Sequence, residues 1–174
     1  MPASTTSYNP SYRYGNSDPQ QFPFKTGVAV NVGDLCYCDT SDGNTVKPAM
    51  SFTWTTNLAT TQANFVKQFV GVAAQAYDGV NANAYGIQDG NLRINTAGVF
   101  DFACASATFN AGDLVGVDQD GANSNLFAQR VVQCNSSGVG NAIGRVVQAY
   151  PTATTTVRVE IMAPFTKLVN AGNA

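Results

Sequence analysis

The chain has 174 residues, enough for one domain with a full core, but only 11% of them are charged, against roughly 25% in an average globular protein. The formal net charge is −2, and the lysines and arginines are scattered singly from Arg13 to Lys167. Nucleic-acid binding needs a concentrated positive surface, so the sequence excludes that class of function. No apolar run reaches the roughly 20 residues of a membrane span, and we see no apolar signal segment. We therefore expect a protein made in the cytoplasm, with no membrane partner.

Residues 1–24 differ in composition from the rest of the chain, because they contain four prolines, several tyrosines and almost no aliphatic residues. Proline interrupts helices and inner strands, so we predict an extended N-terminal arm that contacts a partner. Aromatic side chains bury a large area at a low cost in conformational entropy, which makes them suitable anchors. The candidate partner-binding residues are Tyr8, Tyr12, Tyr14, Phe22 and Phe24. The alternative is that the arm folds back on its own domain.

Residues 25–165 are predicted to form a β-rich domain, and residues 166–174 a C-terminal tail. Alternating valines predict a strand over 28–32, and residues 48–56 are expected to be extended. Asn57 is placed to cap the one helix that we predict, over 58–68. Further strands are predicted at 35–38, 69–75, 92–95, 99–104, 114–118, 126–134, 143–149 and 155–161, with polar loops at 77–91 and 135–141.

Three short blocks of this domain occur twice. The pairs are VGDLCYCD (32–39) with AGDLVGVD (111–118), FVGVA (69–73) with AIGRV (142–146), and LRI (92–94) with VRV (157–159). The offset between matched residues is 79, 73 and 65 positions in the three pairs, and it is constant within each pair. Matched strands joined by loops of different length would produce this pattern. We therefore predict two related β-halves in a compact all-β domain of the barrel or sandwich type.

A Gly-Asp dipeptide stands at the equivalent point of both halves, as Gly33-Asp34 and Gly112-Asp113. Two carboxylates could serve a glycosidase or a calcium site. A Gly-Asp pair at the start of a strand is also a common turn, in which the carboxylate accepts backbone hydrogen bonds. Because a constraint of the fold repeats with the fold, we interpret all four residues as structural turn residues.

The sequence contains no histidine, so neither a Ser-His-Asp nor a Cys-His arrangement can be built, and we predict no catalytic, cofactor-binding or metal-binding residues. Two loops, Asp39–Gly43 and 118–121, faintly resemble calcium loops but lack the downstream bidentate glutamate. Cys36 and Cys38 align with Val115 and Val117 of the second half, which favours small buried hydrophobic residues. A disulfide and a metal site are the alternatives, although CxC lacks the usual zinc spacing.

The order of these blocks resembles the capsid decoration, or cement, proteins of tailed bacteriophages. The blocks that carry the resemblance are Gly33–Asp39, Phe69–Ala73, Ala111–Asp118, Ala142–Val146 and Val157–Ile161. The resemblance covers roughly residues 28–163. It implies a small, β-rich, non-enzymatic virion protein that sits on the outer capsid surface of an icosahedral head as a homotrimer and locks neighbouring major capsid proteins together. The long tyrosine-rich arm departs from the shortest members of the family.

Two other functions are compatible with the sequence. The first is a carbohydrate-binding or head-fibre adhesion module on the virion surface, with Trp54 and the 77–85 loop as sugar platforms; it requires these aromatic side chains to be exposed. The second is an enzyme with two carboxylates, such as a glycosidase, which requires two acidic groups that converge in a cleft.

Overall fold

The computed structural model describes residues 10–87, 89–121, 125–134 and 138–163. The described residues form eleven strands and one α-helix, so the all-β prediction is confirmed. The strands are β1 (Ser11–Tyr14), β2 (Pro19–Pro23), β3 (Leu35–Asp39), β4 (Thr45–Pro48), β5 (Phe69–Ala73), β6 (Asn91–Asn95), β7 (Ala97–Phe109), β8 (Leu114–Gln119), β9 (Leu126–Gln133), β10 (Gly144–Val146) and β11 (Tyr150–Met162), and the helix is α1 (Leu58–Val66). Within the described ranges, no helix is long and apolar enough to cross a membrane.

The strands form two sheets of the same topology. The first has the order β2-β6-β5-β3-β4, and the second has the order β7-β11-β10-β8-β9 with β1 added outside β7. The second sheet closes into a barrel through a parallel pairing of β7 with β9 at Ala103 and Cys104. The edges of the first sheet meet at a single parallel bridge between Phe24 and Val46. We call these units the first and second barrel.

The strand registers confirm the two related halves. Cys36 pairs with Gly71 in the first barrel, and the matched residues Val115 and Gly144 pair in the second. The pair Ala73 and Ile94 is likewise matched by Val146 and Val159. The central glycine of each block, Gly71 or Gly144, allows the backbone of the neighbouring strand to approach closely. A Cβ at Gly71 would lie 2.1 Å from the Asn95 carbonyl oxygen, and a Cβ at Gly144 would lie 2.2 Å from the Glu160 carbonyl oxygen. The repeat therefore extends from the sequence blocks to the backbone contacts between strands.

The arm prediction needs correction at β2. Phe22 faces Leu92 across the sheet as Phe102 faces Val157, so β2 is the first strand of the first barrel and the counterpart of β7. The boundary predicted at residue 24 thus falls inside the first barrel. Pro19 and Pro23 stand where β7 has Val99 and Ala103, whose backbone pairs with β1 and β9. Proline offers no N–H to a further strand, which explains why the first barrel has no added strand among the described residues and closes at one bridge.

The interior of the first barrel forms a cluster of its own, and the interior of the second barrel belongs to a larger shared core. Cys36 and Cys38 are buried inside the first barrel with Val46, Leu92 and Ile94, as predicted from their alignment with valines, and all four cysteines are free. The opposite face of the same strands joins α1 and the second barrel in a larger cluster. Its members include Leu35, Tyr37, Phe65, Phe69, Phe100, Phe102, Val157, Val159 and Ile161. The chain therefore packs as one domain built from two halves.

The helix α1 confirms the predicted cap and position. The Asn57 side chain accepts a hydrogen bond from the Thr60 N–H at 2.9 Å, which satisfies one of the free amides at the helix start. Phe65 packs against the rings of Tyr37 and Phe52 on one side of the helix. The Gln62 amide donates to the Val117 carbonyl of β8 at 2.7 Å, so α1 is anchored to both barrels.

Several predicted extended segments are wrong in place or length, and β7 and β11 run well beyond the predicted 99–104 and 155–161. Residues 28–32 are not a strand, because turns bracket them: the Val28 N–H donates to the Lys25 carbonyl and the Asp34 N–H to the Asn31 carbonyl. The stretch 48–56 contains a short 3₁₀ helix at Ala49–Ser51, and β4 precedes it. The strand predicted at 143–149 is confined to β10. The alternation predicted in β11 is correct, since Val157, Val159 and Ile161 are buried.

Candidate functional site

Among the aromatic residues of the predicted arm that the structure describes, those on strand β1 are the most exposed. This strand pairs with β7 in an antiparallel register, and all four of its residues are exposed. Tyr12 keeps 45% of its surface exposed while its ring meets the Phe100 ring edge-on, with centroids 5.4 Å apart, and its hydroxyl donates to the Gly15 carbonyl. Tyr14 is 52% exposed. Exposed tyrosines held on a strand form a ready contact surface at little entropic cost.

Two arginines and one carboxylate surround these tyrosines. Asp101 of β7 accepts from Arg13 Nε at 2.6 Å and from Arg158 Nε at 2.8 Å. Burial alone would raise the pKa of Asp101, but the hydrogen bonds from Arg158 and Arg13 outweigh it, so the pKa is lowered. The Arg158 guanidinium lies 6.0 Å from the centre of the Tyr14 ring. The ion pairs thus hold β1 on the barrel and orient its exposed face.

An open groove of about 510 Å³ lies beside these groups, at the place where the pairing of β7 passes from β1 to β9. Its lining residues are Ser11, Arg13, Asp101, Ala103, Cys104, Thr155 and Thr156. The groove is bounded by hydroxyl groups and by Asp101, which pairs with both Arg13 and Arg158. The tyrosines and this groove together form a polar surface, which we call the β1 surface.

The other predicted arm residues have different surroundings. Phe22 and Phe24 are half-buried against the interior of the first barrel, and the Phe24 ring lies 4.3 Å from that of Tyr77. Phe22 and Phe24 pack on their own domain, in the place that Phe102 and Cys104 fill in the second barrel, and partner binding by these two residues stays a prediction. Tyr8 lies outside the described residues. Partner binding by Tyr12 and Tyr14 stays a prediction.

The two Gly-Asp turns are structurally equivalent. Gly33 and Gly112 have φ angles of 90° and 93°, a region that favours glycine. The carboxylate of Asp34 accepts from the Asn31 N–H at 2.8 Å, and that of Asp113 accepts from the Asn110 N–H at 2.8 Å. This geometry agrees with the interpretation of these residues as structural turns.

A glutamine pair on β9 was missed by sequence reasoning. Gln129 Nε2 donates to Asp34 at 2.8 Å and to the Val32 carbonyl at 3.2 Å, and Gln133 Nε2 donates to Asp113 at 2.8 Å. The contact of Gln129 therefore joins the second barrel to the turn of the first. Two glutamines four positions apart point to the same face of a strand, but only the fold brings Asp34 to one of them.

Asp34 differs from its counterpart in burial. It is only 1% exposed, and this burial raises its pKa to about 6, although the hydrogen bonds from Asn31 and Gln129 lower it in part. Asp113 is half-buried. A sugar substrate cannot reach a carboxyl enclosed between two barrels, so Asp34 does not suit the role of a glycosidase residue.

The remaining candidate sites are occupied by contacts within the chain. Lys47 pairs with Asp39 and Asp42 at 2.8 and 2.7 Å, so a lysine takes the place of a cation in the first acidic loop. Within the described ranges, no cluster of three acidic or cysteine residues could hold a metal ion. Of the proposed sugar platform, Tyr77 is only 2% exposed and Trp54 is half-buried against the main core, whereas Tyr85 at the end of the loop is 39% exposed.

The comparisons with known proteins add no family to these observations. No family model matches the chain, and no curated protein matches it.

Proposed function

We propose that the protein is a capsid decoration protein, which binds the outer surface of an icosahedral phage head as a homotrimer and stabilises contacts between major capsid proteins. The observation that carries the proposal is the ordered series of blocks that resembles this family. These blocks are the residues that frame both barrels, since they supply β3, β5, β8 and β10 and their Gly-Asp turns. The resemblance therefore concerns the residues on which the fold depends.

The surface chemistry supports a protein partner. The low charge of the chain means that few ions must lose their water when another protein covers the surface. Tyrosine and arginine are among the residues enriched at the centres of protein interfaces, and the β1 surface presents Tyr12, Tyr14 and Arg13 together. The β1 surface is our candidate for the contact with the major capsid protein or with a second copy of the chain.

The mechanism that we propose is mass action. A protein that binds the assembled lattice, and not separated capsid subunits, stabilises the lattice by its free energy of binding. Three linked copies that engage equivalent sites would bind far more tightly than one, because the second and third contacts form within one complex. No chemical step on a substrate is required of the residues described above.

Co-sedimentation tests this proposal directly. The purified protein is mixed with heads that lack it and, separately, with dissociated major capsid protein; we expect binding to the heads alone and a higher melting temperature of the heads. The variant Tyr14→Ala should bind less tightly, whereas Val139→Ser, which changes an exposed apolar residue elsewhere, should bind normally. Failure to bind heads, or equal binding to dissociated subunits, would contradict the proposal.

A further inference from the structure

The strand β1 offers an open edge. Among the described residues, its only strand partner is β7, its four residues contain no proline, and its register with β7 shifts between Tyr12 and Tyr14. It differs in this respect from β2, the edge strand of the first barrel, in which Pro19 and Pro23 oppose further pairing. An edge strand with free N–H and C=O groups accepts an added strand from another chain.

The chain reaches β1 from a fixed point on the first barrel. Pro10 is buried against the Gly33 turn, where a Cβ on Gly33 would lie 2.6 Å from the Pro10 Cδ. Nine residues precede Pro10. The residue before a proline is restricted to extended conformations, and proline cannot adopt the positive φ of a type I′ hairpin turn. A tight return of residues 1–9 onto their own β1 is therefore disfavoured.

The preceding segment has the composition of an added strand. Residues 3–8 are Ala-Ser-Thr-Thr-Ser-Tyr, with no charge, two β-branched threonines and one tyrosine. Nine extended residues span about 30 Å, which is enough to cross from one small domain to its neighbour. The β1 surface matches this segment, because the Arg13 charge is already paired with Asp101.

We propose that residues 1–9 of one copy add as a strand to the free edge of β1 in a second copy. This inference rests on the proposed function for the homotrimer, whose copies the added strands would join. Head-to-tail addition of this kind can close a ring, since each copy gives one segment and receives one. The partner of the β1 edge is then another copy of this chain, and Tyr8 is the aromatic residue of the donated strand.

Disulfide cross-linking between two differently tagged chains tests the proposal. Thr5→Cys, Thr6→Cys and Ser7→Cys are each mixed with Arg13→Cys, oxidised without heads present, and separated by mass. Neighbouring strands bring opposed Cβ atoms close enough for a disulfide, and testing three successive positions ensures that both faces of the added strand are sampled. Three native cysteines are buried and Cys134 is partly buried, so they should compete little. The matched control is Gln21→Cys, an exposed position on the proline-flanked β2.

The expected result is a mixed-tag dimer with Arg13→Cys and none with Gln21→Cys. Double variants that carry one of the three segment cysteines together with Arg13→Cys in the same chain are oxidised in parallel. A cross-link that forms only within one chain would show that the segment folds on its own β1, and would overturn the proposal. Equal cross-linking to Gln21→Cys, or no mixed-tag dimer, would overturn it as well. Because this experiment contains no heads, its failure leaves the co-sedimentation result, and hence the proposed function, separately testable.

Discussion

Replacement of Asp34 by asparagine should change how the stability of the protein depends on pH. In the folded chain this carboxyl is buried between the barrels, and its hydrogen-bond partners are the neutral Gln129 amide and Asn31 N–H. Its pKa is about 6 when folded and close to the ordinary 3.8 when unfolded. Folding therefore favours the protonated form, so the stability contributed by this group is complete below pH 4 and is lost as the pH rises through 6.

The size of the effect follows from the two pKa values. A difference of about two pH units corresponds to about 3 kcal/mol between the protonation states. The introduced asparagine side chain cannot ionise, so the free energy of unfolding of Asp34→Asn, relative to the unmodified protein, should rise by up to about 3 kcal/mol between pH 4 and pH 7. The absolute stability of the variant also includes the loss of a hydrogen-bond acceptor, and for this reason the change with pH is the quantity to measure.

Urea unfolding at pH 4, 5, 6 and 7 measures this difference. The buried Asp118, whose pKa is raised mainly by burial, titrates in both proteins and cancels in the comparison. Asp113→Asn is the matched control, because it removes the carboxylate of the equivalent turn at a position that water reaches. A difference between Asp34→Asn and the unmodified protein that stays constant with pH, or the same trend in Asp113→Asn, would refute the argument from burial.

The geometry of the paired barrels supports three further predictions. Gly71→Ala and Gly144→Ala each place a Cβ near 2 Å from a backbone oxygen. Each should lower the free energy of unfolding, measured in urea, by about 3 kcal/mol or more. Gly140→Ala is the control and should have little effect, because its Cβ would meet no atom within 4 Å. The double variant Cys36→Val, Cys38→Val should unfold within about 1.5 kcal/mol of the unmodified protein, and stoichiometric zinc in the purified protein would count against the buried role of these thiols. Deletion of residues 1–21 removes β1 and most of β2 and should lower the melting temperature by about 10 °C or more, at about 3 °C per kcal/mol.

The repeat made much of the fold predictable. Glycine and aspartate at equivalent points revealed the paired strands because both halves need the same positive φ and the same close approach of backbones. Periodicity identified the buried residues of β11, and a capping asparagine identified the start of α1. These signals are local, and each depends on a few neighbouring residues.

The first strands could not be predicted in the same way. Proline indicated an arm, yet an edge strand tolerates proline on its outer side, and Phe22 and Phe24 are half-buried only because β6 and β4 lie beside them. The valines at 28 and 32 suggested a strand that two turns interrupt. The contact of Gln129 with Asp34 joins residues 95 positions apart, so no local pattern could show that this carboxyl is buried.

A cryo-electron microscopy reconstruction of phage heads incubated with this protein tests the proposed decoration function most directly. We predict density for the two five-stranded barrels on the outer capsid surface, in groups of three, with the β1 surface facing a major capsid protein or a neighbouring copy. Heads with no such density outside the shell, or with these barrels in the tail or the interior, would contradict it.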